Sequence, residues 1–350
     1  MRFRDRDAPV TLEGLILRTY GYDHPRNSCF CDLEYAPETL YKAKDPKAIR
    51  DGGPMKYYKF YFDNGLRFVR DRLPQYQIFH KALGRQLVGV RADQLARIVR
   101  PDIKLKELMG VNDDILAEEA ANVVYAICDA SELKPEDFGV FGSLAHGFHN
   151  QRYSDLDLII YGKRQLLELQ LTLAELFEEG IFSNEFEKWT TAMPPIHWNF
   201  LRYSKEEYGW HQGRKLIYAL KRSERLGRPL KIEFEPVRRW EEIDNEYDKT
   251  LKIEDLGRVE AVVEILADDN AGFMPSIYTV ELKELDRKMG LDDVVRIVSY
   301  VEEFRLQVRR GEKAMVRGNL ERVESTGGKF LQIVLSYGDG YFDQVLKSMQ

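Results

Sequence analysis

Hydrophobic and polar positions alternate with a period of two near both ends of the chain, and with a helical period of about 3.6 residues between them. In the first hundred residues, short apolar and β-branched runs bounded by Gly, Pro, Asn and Asp predict strands. These runs cover residues 12–20, 29–35, 57–62 and 86–90, and the turn residues 23–27 join the first two runs in a hairpin. Residues 1–105 are therefore predicted to form a small β-rich domain.

The helical period is clearest on either side of two short apolar strands. Residues 112–128 carry capping and acidic residues in the first turn, followed by apolar residues at helical spacing, and residues 164–177 form a Leu-rich amphipathic pattern. Strands are predicted at 138–141, 156–161 and 196–203. This alternation of helices and strands indicates an α/β core, a short mixed sheet backed by helices, over residues 106–240.

From residue 241 onward the pattern is again that of strands. The predicted strands cover 257–265, 277–281, 314–323 and 330–335, with turns at 267–270 and 327–328 and a helical stretch near 293–304. Residues 241–350 are therefore predicted to form a second β-rich domain. The fold class is α+β or α/β, with a central core flanked by N-terminal and C-terminal β-rich domains.

One segment of the central region carries residues suited to catalysis. The apolar strand 138–141 ends in Gly142 and Ser143, and the acidic pair Asp155 and Asp157 follows in Ser-Asp-Leu-Asp at 154–157. Strand geometry turns both carboxylates toward one face. Two neighbouring carboxylates repel each other unless a cation lies between them, and Mg²⁺ prefers such oxygen ligands together with substrate phosphates. The pattern predicts a metal-dependent nucleotide site.

The turn before this strand is suited to a phosphate. Gly142 allows the backbone to approach phosphate oxygens closely. The Ser143 hydroxyl can donate to such an oxygen or cap a helix opening at 143–149, whose free N–H groups would face the anion.

An apolar residue, Gly, Ser, roughly ten residues and then Asp-x-Asp is a pattern that resembles the nucleotidyltransferase superfamily of the DNA polymerase beta type. The resemblance implies that Asp155 and Asp157 hold Mg²⁺ or Mn²⁺, and that Gly142, Ser143 and Ser154 contact a nucleoside triphosphate. It also implies transfer of a nucleoside monophosphate to an acceptor hydroxyl with release of pyrophosphate. The whole arrangement resembles archaeal nucleotidyltransferase-domain proteins that carry flanking β modules.

Members of this superfamily generally use a third carboxylate on a later strand, and the resemblance implies one here. Residues 229–237 alternate apolar residues with Glu233 and Glu235, which places both acids on one strand face. Glu233 is favoured as the third metal ligand and as the group that positions the acceptor, because it lies nearer the middle of the strand. Glu235 is the alternative. A solvated face on an edge strand is the competing interpretation, since Pro236 limits pairing at the centre of a sheet.

Composition and charge narrow the possible partners. A chain of 350 residues that is 44% hydrophobic can bury a large core. Its formal charge of −6 argues against a generally basic nucleic-acid coat. Residues 214–231 are nevertheless locally basic, which indicates either a site for a triphosphate or polynucleotide backbone or an exposed Lys/Arg-rich helix. The basic residues are Arg214, Lys215, Lys221, Arg222, Arg225, Arg228 and Lys231.

Two features of the first domain have competing interpretations. His24, Cys29 and Cys31 could bind a metal, but the spacing lacks a fourth ligand, so two cysteines on one strand face are favoured over zinc. Tyrosines interleaved with Arg and Lys occur on single-strand-binding sheets as well as in ordinary packing. These are Tyr20, Tyr22, Tyr35, Tyr57, Tyr58, Tyr61 and Tyr76.

The expected setting is the cytoplasm. The sequence has no long apolar run, its first residues are charged, and its three cysteines suit a reducing compartment, so no membrane partner or disulfide is expected. The predicted function is metal-dependent nucleotidyl transfer, with RNA or tRNA the favoured acceptor. The alternatives are transfer to a protein or small molecule, and a non-catalytic nucleotide-binding regulatory or adaptor protein.

Overall fold

The structure, a computed structural model, describes residues 1–51, 55–111, 113–187, 200–286, 294–338 and 340–349. The chain forms two compact units. Unit 1 consists of Met1–Ile78, Leu87–Glu185 and Leu216–Asp244, and unit 2 consists of Phe79–Gln86, Phe186–Lys215 and Asn245–Gln350. Each unit thus combines segments that are distant in sequence. The division of the chain into three domains at residues 105 and 240 stays a prediction.

The N-terminal part of the chain is β-rich, as predicted. Its strands are β1 (Ala8–Thr11), β2 (Ile16–Thr19), β3 (Ser28–Pro37), β4 (Ile49–Arg50), β5 (Tyr57–Lys59), β6 (Gln77–His80), β7 (Arg85–Arg91) and β8 (Leu95–Val99). They form an antiparallel sheet in the order β4-β5-β3-β2-β1-β8, with β7 paired to β3 and β6. The predicted hairpin appears as β2 and β3.

Two predictions for this sheet are wrong in detail. The apolar run 12–20 is not one strand, because a turn containing Gly14, at a positive φ of 87°, separates β1 from β2. The run 57–62 pairs only as far as Lys59, and helix α1 (Asn64–Arg72) follows.

Packing is the role of Cys29, of Cys31 and of most of the tyrosines singled out above. Cys29 and Cys31 are buried on one side of β3 with their sulfur atoms 3.4 Å apart, while His24 contacts Gly21 and Phe30. Among the tyrosines singled out above, the buried ones are Tyr22, Tyr35, Tyr58 and Tyr76. The favoured interpretation of the cysteines as residues that share a strand face is consistent with this geometry.

The central mixed sheet backed by helices is confirmed. Its strands are β9 (Phe138–Val140), β10 (Leu156–Tyr161), β11 (Ser183–Asn184), β12 (Tyr218–Ser223) and β13 (Arg228–Val237), in the order β11-β12-β13-β10-β9. Among these described strands, only the β10–β13 pair is parallel. The helices of this part are α2 (Pro101–Leu108), α3 (Ile115–Asp129), α4 (Gly142–Ala145) and α5 (Lys163–Glu178). Both α3 and α5 pack against β10.

The central sheet corrects several expectations. The basic segment forms β12 and β13 rather than an exposed helix, and β13 is an inner strand between β10 and β12 rather than an edge strand. Pro236 is accommodated because it lies next to the end of β13. Of the strand predicted at 196–203, residues 196–199 lie outside the described residues, and residues 200–203 form no strand.

Unit 2 contains helix α6 (Lys205–Gly213) and a closed β barrel. The strands are β14 (Thr250–Asn270), β15 (Ser276–Leu285), β16 (Val294–Ser299), β17 (Lys313–Ser325), β18 (Gly328–Leu335) and β19 (Val345–Ser348). The ring order is β14-β15-β16-β18-β17, and β17 pairs back to β14. Within the described part of the barrel, only β16 and β18 pair in parallel. This order and this single parallel pair are those of the oligonucleotide/oligosaccharide-binding barrel.

Two predictions for the C-terminal region are wrong. The turn expected at 267–270 is strand, because β14 continues to Asn270 and the chain turns after it. The helical stretch expected near 293–304 is β16 with a single turn of 3₁₀ helix at Glu302–Phe304, while Asp293 lies outside the described residues. Pairing of β16 with both β15 and β18 favours the strand, although its apolar spacing fits either structure.

No helix in the described part of the chain is long and apolar enough to cross a membrane.

Candidate active site

The two aspartates lie at the start of strand β10. Leu156 and residues 158–160 are wholly buried, whereas Asp157 is half-buried and Asp155, directly before the strand, is exposed. Because side chains alternate along a strand, both carboxylates project from the same face of the sheet. The buried neighbours fix β10 in the sheet, so this face can present the acidic pair to solvent.

Both carboxylates are accessible, yet protein surrounds them. The loss of surrounding water raises the pKa of Asp157 to about 7, and repulsion from Asp155 adds to the rise, whereas Lys59 opposes it. Desolvation also raises the pKa of Asp155, against the attraction of Lys231 and Arg228. The two like charges can be reached from solvent but have lost much of their surrounding water. This is the electrostatic setting in which a bound cation is stabilised.

Gly142 makes room for the Asp157 carboxylate. The backbone N–H of Phe141 donates to the carbonyl of Asp157 at 3.0 Å, which brings the turn after β9 directly against β10. Gly142 has a φ of +65°, and a Cβ atom at this position would overlap Oδ2 of Asp157. Both the backbone angle and the close approach therefore require glycine here.

Ser143 and Ser154 join the glycine turn to the acidic strand. The Ser143 hydroxyl donates to the Ser154 hydroxyl at 3.3 Å, and Ser154 Oγ also accepts from the backbone N–H of Asn150 at 2.8 Å. Arg228 donates to the Ser154 carbonyl at 2.5 Å. The expectation that Ser143 caps a helix is wrong, because Phe141 is at the N-cap position and α4 is only four residues long.

The structure separates the two candidates for the third carboxylate. Asp157 and Glu233 are register partners on the parallel strands β10 and β13, so their side chains share a sheet face. Glu233 is half-buried, whereas Glu235 is 3% exposed and accepts a hydrogen bond from Arg6 at 2.7 Å. Glu235 is thus committed to a buried ion pair, and Glu233 is the acid beside the pair of aspartates.

Lys231, the last of the basic residues singled out in 214–231, is a cation on the same face as Glu233. It forms an ion pair with the buried Glu185 at 2.9 Å. Burial lowers the pKa of Lys231, but the carboxylates of Glu185, Glu233 and Asp155 more than offset this and raise it. Lys231 therefore remains a cation beside the acidic group.

Other basic residues of the segment 214–231 form ion pairs with carboxylates. Lys221 forms an ion pair with Glu119 at 2.9 Å, and Arg225 forms one with Glu118, both on α3. These contacts tie β12 and the following turn to α3. Together with the Lys231–Glu185 pair, they give three of the five basic residues in 216–231 a structural role, which weakens the interpretation of this segment as a polynucleotide-binding surface.

A divalent cation fits the oxygen donors of Asp155 and Asp157. Mg²⁺ in phosphate-transfer sites commonly takes one or two carboxylates and completes its coordination with substrate phosphates and water. The space at Gly142 leaves Oδ2 of Asp157 uncovered by a side chain at that position. Within the described residues, no three or more His, Cys, Asp or Glu side chains are gathered to hold a metal ion, so Glu233 does not complete a preassembled cluster.

The comparisons with known proteins agree with this geometry. Residues 121–253, which include β9, β10 and β13, match the family model for the nucleotidyltransferase domain. This match supports the assignment of the central segment to the nucleotidyltransferase superfamily of the DNA polymerase beta type. The chain is also similar to the uncharacterized protein MJ1086 of Methanocaldococcus jannaschii, with 26% identity over 356 residues and 99% of each chain covered. No solved structure gives a significant match.

The spacing along the sequence predicts the acidic pair and the glycine turn, and the basic segment 214–231 includes Arg228 and Lys231, but nothing in the sequence predicts that Arg6 and Lys59 lie near them. The alternation of Lys231 with Glu233 and Glu235 could have placed Lys231 on the same face. Arg6 and Lys59 have no comparable local signal, because each reaches the site through pairing or packing of residues that are distant in sequence.

Proposed function

We propose that this protein is a metal-dependent nucleotidyltransferase that moves a nucleoside monophosphate from a nucleoside triphosphate to an acceptor hydroxyl and releases pyrophosphate. The observation that carries the proposal is the turn at Gly142, which closes on the Asp157 carboxylate beside Asp155. A glycine turn and a desolvated acidic pair in contact are the two parts that such a reaction requires, one for phosphate and one for a cation.

Each site residue has a role in this proposal. Asp155 and Asp157 would hold Mg²⁺ or Mn²⁺, which supplies charge neutralisation at the transferred phosphate. Gly142, Ser143 and Ser154 would contact the triphosphate, and the Ser143–Ser154 hydrogen bond would keep the turn in register with β10. Glu233, beside Asp157, would orient the acceptor hydroxyl or accept its proton.

The proposed acceptor is RNA or tRNA. The barrel of unit 2 supports this choice by analogy, because barrels with the same ring order commonly bind single-stranded nucleic acid. The net charge of −6 does not favour broad binding to a nucleic-acid backbone, so the contact would be local. A protein or small-molecule hydroxyl remains the alternative acceptor.

The test is to follow the α-phosphate. Purified protein is incubated with each α-³²P-labelled nucleoside triphosphate, Mg²⁺ or Mn²⁺, and either total cellular RNA, total cellular protein or no acceptor. Label in RNA together with pyrophosphate release, both lost in Asp157→Ala, would support the proposal. Label in the protein fraction would instead identify a protein acceptor.

A second candidate, a nucleotide-binding regulatory or adaptor protein, is favoured by one observation. The described residues contain no preassembled three-carboxylate cluster, as a site that binds nucleotide without turnover could lack one. Triphosphate binding in calorimetry, with no pyrophosphate released in the presence of any acceptor, would select this function over transfer.

A further inference from the structure

Strand β13 carries a lysine beside the acidic pair. Leu156 of β10 and Ile232 of β13 are register partners on parallel strands. Asp155 directly precedes Leu156, and Lys231 directly precedes Ile232. Because neighbouring strands lie about 4.8 Å apart, the backbones of Asp155 and Lys231 run side by side at the start of β10. Strand pairing therefore places Lys231 at the acidic pair.

The side chain of Lys231 projects from the face that carries the acids. Lys231 and Glu233 are two positions apart within β13, so their side chains lie on the same side of the sheet. Glu233 is the register partner of Asp157 and shares its face. The side chain of Lys231 is 40% exposed, so a ligand that enters from solvent can reach its ammonium group.

A buried glutamate holds this lysine in place. Glu185 directly follows β11, its side chain is only 6% exposed, and it forms an ion pair with Lys231 at 2.9 Å. An ammonium group has three N–H donors, so contact with one carboxylate oxygen leaves two for other oxygen atoms. Glu185 thus fixes the position of the ammonium group without using all of its donors.

A bound metal ion would bring phosphate to this lysine. Mg²⁺ in phosphate-transfer sites is held by one or two carboxylates together with substrate phosphates. A phosphate on a cation held by Asp155 and Asp157 would therefore lie beside Lys231. The cation would also offset the charge of the two aspartates, and the ammonium group could then donate a charge-assisted hydrogen bond to a phosphate oxygen.

The same sheet has a second lysine–glutamate pair on its opposite face. Lys221 of β12 forms an ion pair at 2.9 Å with Glu119 of α3, whose side chain is 5% exposed. Leu220 is the register partner of Lys231 and shares its face, so the next residue, Lys221, projects from the other face. The two pairs have the same chemistry, but only the Lys231–Glu185 pair lies on the acidic face.

We propose that Lys231, held by Glu185, binds a phosphate group of the nucleoside triphosphate at this site. The inference rests on the proposed function and deepens it, because it names a side chain that recognises the substrate. It gives the last residue of the basic segment 214–231 a role in substrate binding in addition to its ion pair.

The experiment compares two double variants by isothermal titration calorimetry in MgCl₂, with ATP, CTP, GTP, UTP and inorganic tripolyphosphate. Lys231→Met with Glu185→Gln removes the pair on the acidic face, and Lys221→Met with Glu119→Gln removes its counterpart. Each double variant avoids leaving a buried charge uncompensated. The first should weaken binding of triphosphate and tripolyphosphate by about tenfold or more, the effect of one charge-assisted hydrogen bond. The second should leave every affinity unchanged.

Glu185→Gln alone separates the lysine from the residue that holds it. Because the charge of Lys231 is retained, triphosphate affinity should fall by less than about threefold. A fall as large as in the Lys231→Met, Glu185→Gln variant would overturn the role of Lys231.

Three further results bear on the proposal. If the wild-type protein binds triphosphate and Lys231→Met, Glu185→Gln binds it equally well, only the role of Lys231 is overturned. That role is also overturned if both double variants weaken binding equally, or if triphosphate binding weakens while tripolyphosphate binding does not. A wild-type protein that binds none of the probes overturns the proposed function as well.

Discussion

The guanidinium of Arg6 donates a hydrogen bond to the carboxylate of Glu235 at 2.7 Å, across 229 positions of sequence. Both side chains are buried, and Asp5 lies 3.6 Å from the same guanidinium. The N-terminal segment thereby neutralises one of the two acids on β13. Glu233, two positions earlier and on the same face, is the register partner of Asp157.

The Arg6–Glu235 pair predicts that substitution of Glu235 lowers stability, whereas substitution of Glu233 lowers activity. Glu235→Gln should lower the free energy of unfolding by about 3 kcal/mol, because it leaves the buried Arg6 charge poorly compensated. Glu233→Gln should change stability by less than about 1 kcal/mol but reduce nucleotidyl transfer. Urea unfolding and labelled-nucleotide transfer measure the two effects. Full transfer activity in Glu233→Gln would remove this residue from the proposed mechanism.

Gly142→Ala should damage both stability and the site. A non-glycine residue at this positive φ costs roughly 1–2 kcal/mol, and the added methyl group must displace the Asp157 carboxylate. We expect a loss of about 2 kcal/mol in urea unfolding and at least a hundredfold loss of transfer, since misplacement by about 1 Å is this costly in a reacting site. Gly147→Ala is the control, because its φ is +72° and a Cβ there meets nothing within 4 Å. Similar transfer by the two variants would contradict the proposed contact.

Divalent metal should stabilise the protein through the acidic pair. Mn²⁺ or Mg²⁺ at about a hundred times its dissociation constant adds roughly 2.7 kcal/mol to folding, which should raise the midpoint of thermal unfolding by several degrees. Asp155→Asn and Asp157→Asn should abolish the rise. Asp129→Asn, on an exposed residue at the end of α3, should retain it. A rise that persists in Asp157→Asn would place the metal elsewhere.

His146 should make the folded state sensitive to acid. Desolvation lowers its pKa to about 4, against the attraction of Glu34 and with repulsion from Arg97 and Lys104. Because the folded-state pKa lies below the ordinary value near 6.5, the imidazole protonates more readily in the unfolded chain. Its contribution to stability is complete above pH 6.5 and is lost as the pH falls toward 4.

The measurement compares urea unfolding of the wild type and of His146→Gln at pH 7 and pH 5. Between these values the wild type should lose about 1–2 kcal/mol more than the variant. An equal loss in both proteins would show that His146 is charged in the folded state or exposed.

The pattern of hydrophobic and polar residues predicted those helices and strands in which the buried residues recur with a single period. Helix α5 and strands β3, β17 and β18 appear within a few residues of their predicted bounds, because their apolar faces are regular. Helix α1 was missed because Gly65 lowers its helical propensity. The glycine is needed because a Cβ there would overlap the Leu33 carbonyl, a constraint set by tertiary packing that the local sequence does not reveal.

For the candidate site too, the local sequence predicts only contacts between residues that are close along the chain. Gly142, Ser143, Asp155 and Asp157 lie within one strand–turn–strand segment, so their spacing alone could predict that they meet. Lys59 depends on the pairing of β5 with β3 and on the contact of Tyr35 with Phe148. Such non-local pairing is set by packing across the unit, and a single sequence gives no direct measure of it.

Closure of the C-terminal barrel determines how that unit can recognise anything. Each strand of the ring has a hydrogen-bonded neighbour on both sides, and β19 occupies the stretch of β17 at residues 314–317, beyond its pairing with β18. Where a ring strand is paired on both sides, an extended peptide cannot dock by adding a strand, and two copies cannot associate edge to edge. Along those stretches, selectivity would come from side chains and connecting loops.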